Sequence, residues 1–229
     1  NFEWTGVFAE LHGFCATDLS AFYFDIRKDA LYCDRADSLR RRACRTVLDH
    51  VFRCLVTWLA PVLVFTAEEA WLARFPGEEE SVHLQTFPEV PASWRDEALA
   101  ARWLRIREIR RVVTGAIERE RAEGRIRASV QAAPLLAVPE ADRFLLDAET
   151  WAEICITSAL TLAESAGTDA FTVEGVEGVA VVPAKASGMK CERCWRVLPE
   201  VGAHADHPGL CDRCHDAVTS GVLARRAAA

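Results

Sequence analysis

The 229-residue sequence contains no run of eighteen apolar residues and no charged-then-apolar leader, so neither a membrane-spanning helix nor a secretory signal is expected. It lacks an initiator methionine and opens on NFEW, from which a longer parent chain is expected. Internal repeats are absent, and no low-complexity segment occurs outside the Ala-rich last residues. Disorder is excluded, because 51% of the residues are apolar and 9% aromatic, enough to build a core. An overall basic charge is also lacking. The net charge of −7 argues against a uniformly basic nucleic-acid binder.

That mean hides a pattern. Residues 1–65 are neutral, 66–101 carry −6, 102–127 carry +5, 128–184 carry −8 and 185–229 carry +2. Binding to phosphates needs a local basic surface rather than a basic average, so RNA stays open. The alternative is an ordinary solvated helix face with ion pairs.

Cysteine is plentiful, with nine residues. Cys15, Cys33, Cys44, Cys54 and Cys155 are scattered singly at positions where helical apolar residues belong. A free cysteine packs as a small hydrophobe, so these five read as core filler in a reducing compartment, and a cytosolic location is expected. The remaining four are paired by spacing: Cys191, Cys194, Cys211 and Cys214 form C-x2-C-x16-C-x2-C. Each C-x-x-C turn aims two thiolates at one ion, and two turns complete a tetrahedral Zn2+ shell. Four sulfurs leave no open position, which makes the expected zinc structural. His204, His207 and His215 lie close by as alternative ligands, and a redox dithiol is the other rival. Trp195 and Arg196 follow the first pair. The tryptophan either packs onto the zinc turn or a neighbour, or offers a stacking platform to an unpaired base with Arg196 beside it.

Apolar residues at 4, 7, 8, 11, 14, 15, 19, 22, 23 and 26 predict a helix of about six turns. Cys44 to Leu59 repeats the pattern until Pro61 ends it. TAEE predicts a capping box, Thr66 with Glu69, opening a short helix that stops at FPG. Residues 76–95 read as an acidic, Pro-rich loop. A fourth helix is expected from about Asp96 to Glu123, with Leu99, Trp103, Ile106, Ile109, Val113 and Ile117 inward and Gly124 as C-cap. The expected architecture is mainly α: an antiparallel helical bundle over 1–129, a small α/β connector over 130–184, and a four-cysteine zinc finger over 185–229. Within the connector, APLLAV and ICITSALTL read as strands around a helix at 140–153, and AFTVEG with VEGVAVVPA as a β-hairpin.

At this point the motifs align with a family. DLSAFYFDIRKDALY (18–32), LAPVLVFTAEEAW (59–71), SVHLQTFPEVP (81–91) and KCERCWR…LCDRC (190–214) resemble the C-terminal third of bacterial isoleucyl-tRNA synthetases. The order also matches: helical anticodon-binding domain, connector, terminal finger. Val64 departs from the family's usual proline, and RRRACR (40–45) from its usual polar run. The resemblance implies that the parent enzyme attaches isoleucine to tRNA-Ile using ATP and Mg2+ in an upstream catalytic domain, working as a monomer. HIGH-like and KMSKS-like signatures are absent here, as are paired carboxylates, an activated nucleophile or a phosphate loop, so no catalytic residue is expected. This part is expected to hold the anticodon stem-loop. The resemblance raises Trp195 and Arg196 as RNA contacts and adds Arg27, Lys28, Arg40 and Arg41, with Arg42 beside them. Phe22, Tyr23 and Tyr32 are expected to pack into the core. Two rivals remain: a DNA-repair glycosylase of the formamidopyrimidine type, whose finger is similar but whose catalytic N-terminal proline is missing, and a stand-alone zinc-dependent interaction module.

Overall fold

A computed structural model describes residues 4–77 and 79–220. The chain divides into two compact units, Asn1–Ala36 with Glu97–Ala229, and Asp37–Asp96. It is mainly α, with few short strands, as the hydrophobic periodicity predicts.

The first unit opens with helix α1 (Trp4–Gly13), continues through a π-helical stretch (Phe14–Phe24), and ends in α2 (Asp25–Cys33). The sequence predicts one regular helix face here. The backbone instead holds wider π turns for eleven residues before resuming α geometry. Burial follows this division. Trp4, Val7 and Phe14 stay exposed, whereas Leu19, Ile26, Ala30 and Cys33 are buried.

The second unit contains α3 (Leu39–Leu59) and α4 (Val64–Arg74). Ser38 caps α3, its hydroxyl accepting from the Arg41 N–H at 3.2 Å, and the helix stops before Pro61 as expected. The anticipated Thr66–Glu69 capping box does not form. Helix α4 starts two residues earlier, at Val64, and the Ala67 N–H bonds the Leu63 carbonyl at 2.8 Å, so Thr66 lies inside the first turn. Glu68 does the anchoring instead, accepting from the Ser81 hydroxyl at 3.0 Å and the Val82 N–H at 2.9 Å to hold the following loop. Ala60, Ala67, Trp71 and Val82 form this unit's core, with Phe52, Val56 and Phe75 against it.

Returning to the first unit, α5 (Glu97–Ala122) ends at Gly124, whose φ of +73° is a left-handed cap that glycine adopts without strain. Ile106, Ile109, Val113 and Ile117 point inward as predicted, joined by Val112 and Ala116, while Leu99 is exposed. Their counterpart is the connector: β1 (Leu135–Ala137), α6 (Ala148–Cys155), β2 (Thr161–Ala163) and β3 (Ala180–Val182). One continuous core takes in α5, Leu136, Trp151, Ile154, Val179 and Val181. The sheet order is β2-β1-β3, with β1 parallel to β2 and antiparallel to β3.

Two strand expectations need correction. Ile154 and Cys155 belong to α6, which Asp147 starts by accepting from the Thr150 N–H at 2.7 Å. The hairpin reduces to one bridge, Phe171 to Val181, because β3 takes β1 as its main partner.

Charge joins α5 to the connector as well. Arg105 bonds the Asp142 carboxylate at 2.6 Å, Arg110 donates to the Ile154 carbonyl at 2.8 Å, and Arg102 donates to the Leu145 carbonyl. Arg107 pairs with Asp18 at 2.6 Å and lies over Phe22, which meets Trp103 edge-on. The basic run of 102–127 thus meets the acidic run of 128–184 through the Arg105–Asp142 pair, while Arg121 and Arg125 pair with glutamates of the basic run itself.

Candidate functional site

The finger is a small hairpin, β4 (Met189–Lys190) against β5 (Val197–Leu198), followed by α7 (Asp212–Thr219). Gly188 has φ of +111°, and a Cβ there would meet the Leu198 carbonyl carbon at 2.3 Å, so the hairpin can only close on glycine. Two tight turns then bring Cys191, Cys194, Cys211 and Cys214 together, with all four sulfurs within 4.8 Å of one another. Cys194 Sγ lies 3.7 Å from Cys211 Sγ. A ZnS4 tetrahedron with bonds of about 2.3 Å has edges of about 3.8 Å, so the donor set fits zinc and closes its shell. No disulfide joins these cysteines. The Cys194 thiol is held far below its ordinary value by donation from Cys211 and Cys214, while sharing with Cys194 pushes those two up. A metal takes all four cysteines as thiolates, so zinc binding releases their protons.

The finger is fastened at two places, one of them by Arg193 and Arg213, which nothing in the sequence singles out, and the other by Arg196. Each C-x-x-C carries arginine at its third position, and both arginines reach α2. Arg193 donates to the Tyr32 carbonyl at 2.8 Å and to the Cys33 carbonyl, placing a guanidinium on the negative end of that helix. Arg213 forks onto Asp29 and extends 3.3 Å to Asp34, which is 7% exposed. Burial opposes the Arg213 charge, and the Asp29 carboxylate overrides it, holding the guanidinium above its ordinary pKa. Cys33 joins the buried cluster of zinc-site cysteines, which gives one of the five scattered cysteines a packing role beside the metal. At the second place, Arg196 donates to the Ser158 carbonyl, and the Val197 N–H bonds Ser158 Oγ at 2.6 Å. The connector therefore grips the base of the hairpin.

What this anchoring presents is Trp195. Its φ is +68°, a left-handed conformation that costs a residue with a Cβ about 1–2 kcal/mol. The residue is 61% exposed, and the Lys190 ammonium sits 5.3 Å from the ring centroid. Trp195 thus does not pack down onto the zinc turn. The Trp195 N–H bonds the Cys191 carbonyl at 2.9 Å, so the strained residue is also the one that closes the knuckle.

The remaining sequence candidates fall in several settings. Arg27 pairs with Glu153 at 2.6 Å, tying α2 to α6, and Lys28 makes an exposed pair with Asp25 at 2.7 Å. Arg40 and Arg41 lie half-buried in the first turn of α3, inside the other compact unit. That turn has no acidic residue, and cations at a helix N-terminus oppose its dipole. Tyr32 departs from expectation. Its side chain is 75% exposed rather than packed in the core, beside the finger's attachment to α2. His204, His207 and His215 form a cluster of their own and are not part of the four-sulfur set.

Comparison with known proteins fits this geometry. Residues 1–136 match the anticodon-binding domain of tRNA ligase. The chain belongs to that family. Residues 188–217 match the zinc finger found in FPG and IleRS, a description shared with the glycosylase rival, but the helical match does not extend to that rival. The chain is 50% identical to the isoleucine–tRNA ligase of Gluconobacter oxydans over 218 residues, and 52% identical to that of Ruegeria pomeroyi over 219. The Agrobacterium fabrum enzyme is 49% identical over 214 residues. These alignments cover 93–95% of this chain and 22% of each relative, so the chain spans about a fifth of their length. Among the described residues, no helix is long and apolar enough to cross a membrane.

Proposed function

We propose that this chain holds the anticodon stem-loop of tRNA-Ile as part of a cytoplasmic, monomeric isoleucine–tRNA ligase. Amino-acid activation with ATP and Mg2+ and esterification then belong to a catalytic domain upstream. In this reading 1–129 grips the stem-loop, 130–184 spaces and braces, and 185–229 carries the terminal contact.

The observation that carries the proposal is Trp195. A strained, exposed indole on a metal knuckle fastened to two elements is a poor choice for packing and a good one for stacking. Anticodon bases are unpaired and can splay onto it, and Lys190 supplies a cation at the ring for the adjoining phosphate. Arg196 braces that platform from below through Ser158. Lys28 exchanges Asp25 for a phosphate, and Arg27, kept in place by Glu153, adds to the local positive potential. Arg40 and Arg41 offer further cations to a phosphate at the start of α3.

The test is filter binding of the tag-free chain to tRNA-Ile and tRNA-Val transcripts at two salt concentrations. Trp195→Ala is expected to weaken tRNA-Ile binding about 5- to 150-fold, the equivalent of about 1–3 kcal/mol of stacking, with zinc content and melting temperature unchanged. Unchanged affinity in the variant, or equal affinity of the parent for both tRNAs, would overturn the reading.

A further inference from the structure

The finger carries a second cluster of donors on the loop between its two knuckles and on α7. His207 Nδ1 and His215 Nδ1 face each other at 3.3 Å. His207 Nδ1 is 3.3 Å from one oxygen of Asp206, and His215 Nδ1 is 3.8 Å from the other. His204 adds a third imidazole, stacked on His215 with centroids 3.8 Å apart and planes at 2°. His204, Asp206 and His215 each present a ligand atom within 4.8 Å of the others.

Two imidazole nitrogens facing one another have two arrangements: a shared N–H···N hydrogen bond, or both protons on Nε2 and two lone pairs aimed at one ion. Neutral histidine has one donor and one acceptor nitrogen, and the facing pair can share only one proton. A divalent ion between them satisfies both lone pairs at once. With metal–nitrogen and metal–oxygen bonds of about 2.0–2.2 Å, neighbouring ligands stand about 3.0–3.5 Å apart, and His207 Nδ1 already lies in that range from His215 Nδ1 and from Asp206 Oδ2, the oxygen other than the one nearest His215. The third closes by rotation of Asp206, an exposed side chain.

The cluster is also held in advance. The His215 N–H bonds the Cys211 carbonyl at 2.8 Å, so the knuckle fixes its position, and the His207 N–H bonds the His204 carbonyl at 3.2 Å across a tight turn. His204 Nε2 lies 2.8 Å from an Asp212 oxygen, which holds in place the ring stacked on His215.

We propose that Asp206, His207 and His215, with His204 braced beside them, form a second metal site on the finger, separate from the four-cysteine set. The donors are imidazole and carboxylate without sulfur, which selects a borderline divalent transition ion such as Zn2+ and leaves coordination positions for water. This site does not depend on the tRNA-binding reading.

Equilibrium dialysis of the tag-free chain against micromolar Zn2+, followed by metal analysis, tests it. Two equivalents are expected in the parent and one in Asp206→Asn/His207→Gln. One equivalent in the parent overturns the proposal, as does a second equivalent retained by the variant. X-ray absorption of the parent supplies a check that needs no variant. Raising the load from one to two equivalents should add nitrogen/oxygen scattering at about 2.0–2.1 Å to sulfur scattering at about 2.3 Å. A spectrum that stays purely sulfur at the higher load refutes the site.

Discussion

Replacing Arg213 with methionine keeps most of the aliphatic stem but removes the fork that joins α7 to α2. Arg213 makes two hydrogen bonds to Asp29 and a third contact to Asp34. A charge-assisted bond is worth about 1.5–3 kcal/mol when its partners are shielded from water. Arg213 and Asp29 keep about a quarter of their side-chain surface, which discounts each bond, whereas Asp34 is 7% exposed and loses a cationic neighbour in a nearly dry setting. The net penalty for undocking is therefore about 2–4 kcal/mol. If local opening of the finger controls metal loss, chelator-driven zinc release should accelerate about 30- to 900-fold. A chromogenic chelator in excess reads that rate directly. The double variant Asp29→Asn/Arg213→Met should release zinc more slowly than the two single effects combined would give, because the partners share one interaction. A change below about threefold in Arg213→Met, or strict additivity in the double variant, refutes the idea that this pair docks the finger.

Trp195→Gly removes the left-handed penalty, so the finger should resist zinc release better by about 1–2 kcal/mol while tRNA binding falls; loss on both counts would show that the indole is structural. Burial pushes the Cys155 thiol up to about 12, with Arg110 pulling slightly the other way, so native protein at pH 8 should not be alkylated at Cys155 until it unfolds, as peptide mapping would reveal. Asp49 is held below the usual carboxylate range by its hydrogen bond to Arg53 and then by Arg74. Its stabilisation of the Asp37–Asp96 unit is therefore complete above the ordinary carboxylate pKa and disappears as pH falls through the lowered folded value. The melting difference between parent and Asp49→Asn, measured from pH 7 to pH 2, should shrink over that acid range, and a constant difference contradicts the assignment.

The parts of this molecule that follow local rules could be read from the chain alone. Four cysteines at knuckle spacing announce their metal, Pro61 stops α3, and Gly124 caps α5, because in each case the deciding residues are a few positions apart. The capping box at Thr66 was misplaced because motif spacing cannot say which turn of a helix comes first. The π stretch after Gly13 preserved enough apolar periodicity to pass for a regular helix. The docking of the finger had no local signature at all. Arg193 and Arg213 look like ordinary charged fillers between cysteines, and their partners at 29–34 lie about 160–184 residues away. The charge blocks of 102–127 and 128–184 were visible in the sequence, but their mutual pairing required the fold.

The arginine that seals α2 and the cysteines that ligate zinc belong to the same tight turn. Arg193 can rest on the Tyr32 and Cys33 carbonyls only while Cys191 and Cys194 hold that turn closed. Metal occupancy and the integrity of the last turn of α2 are therefore thermodynamically linked, and the linkage is reciprocal: whatever steadies that turn must tighten zinc, and whatever frays it must loosen zinc by the same factor. A ligand that steadied that last turn would register at the metal without touching it.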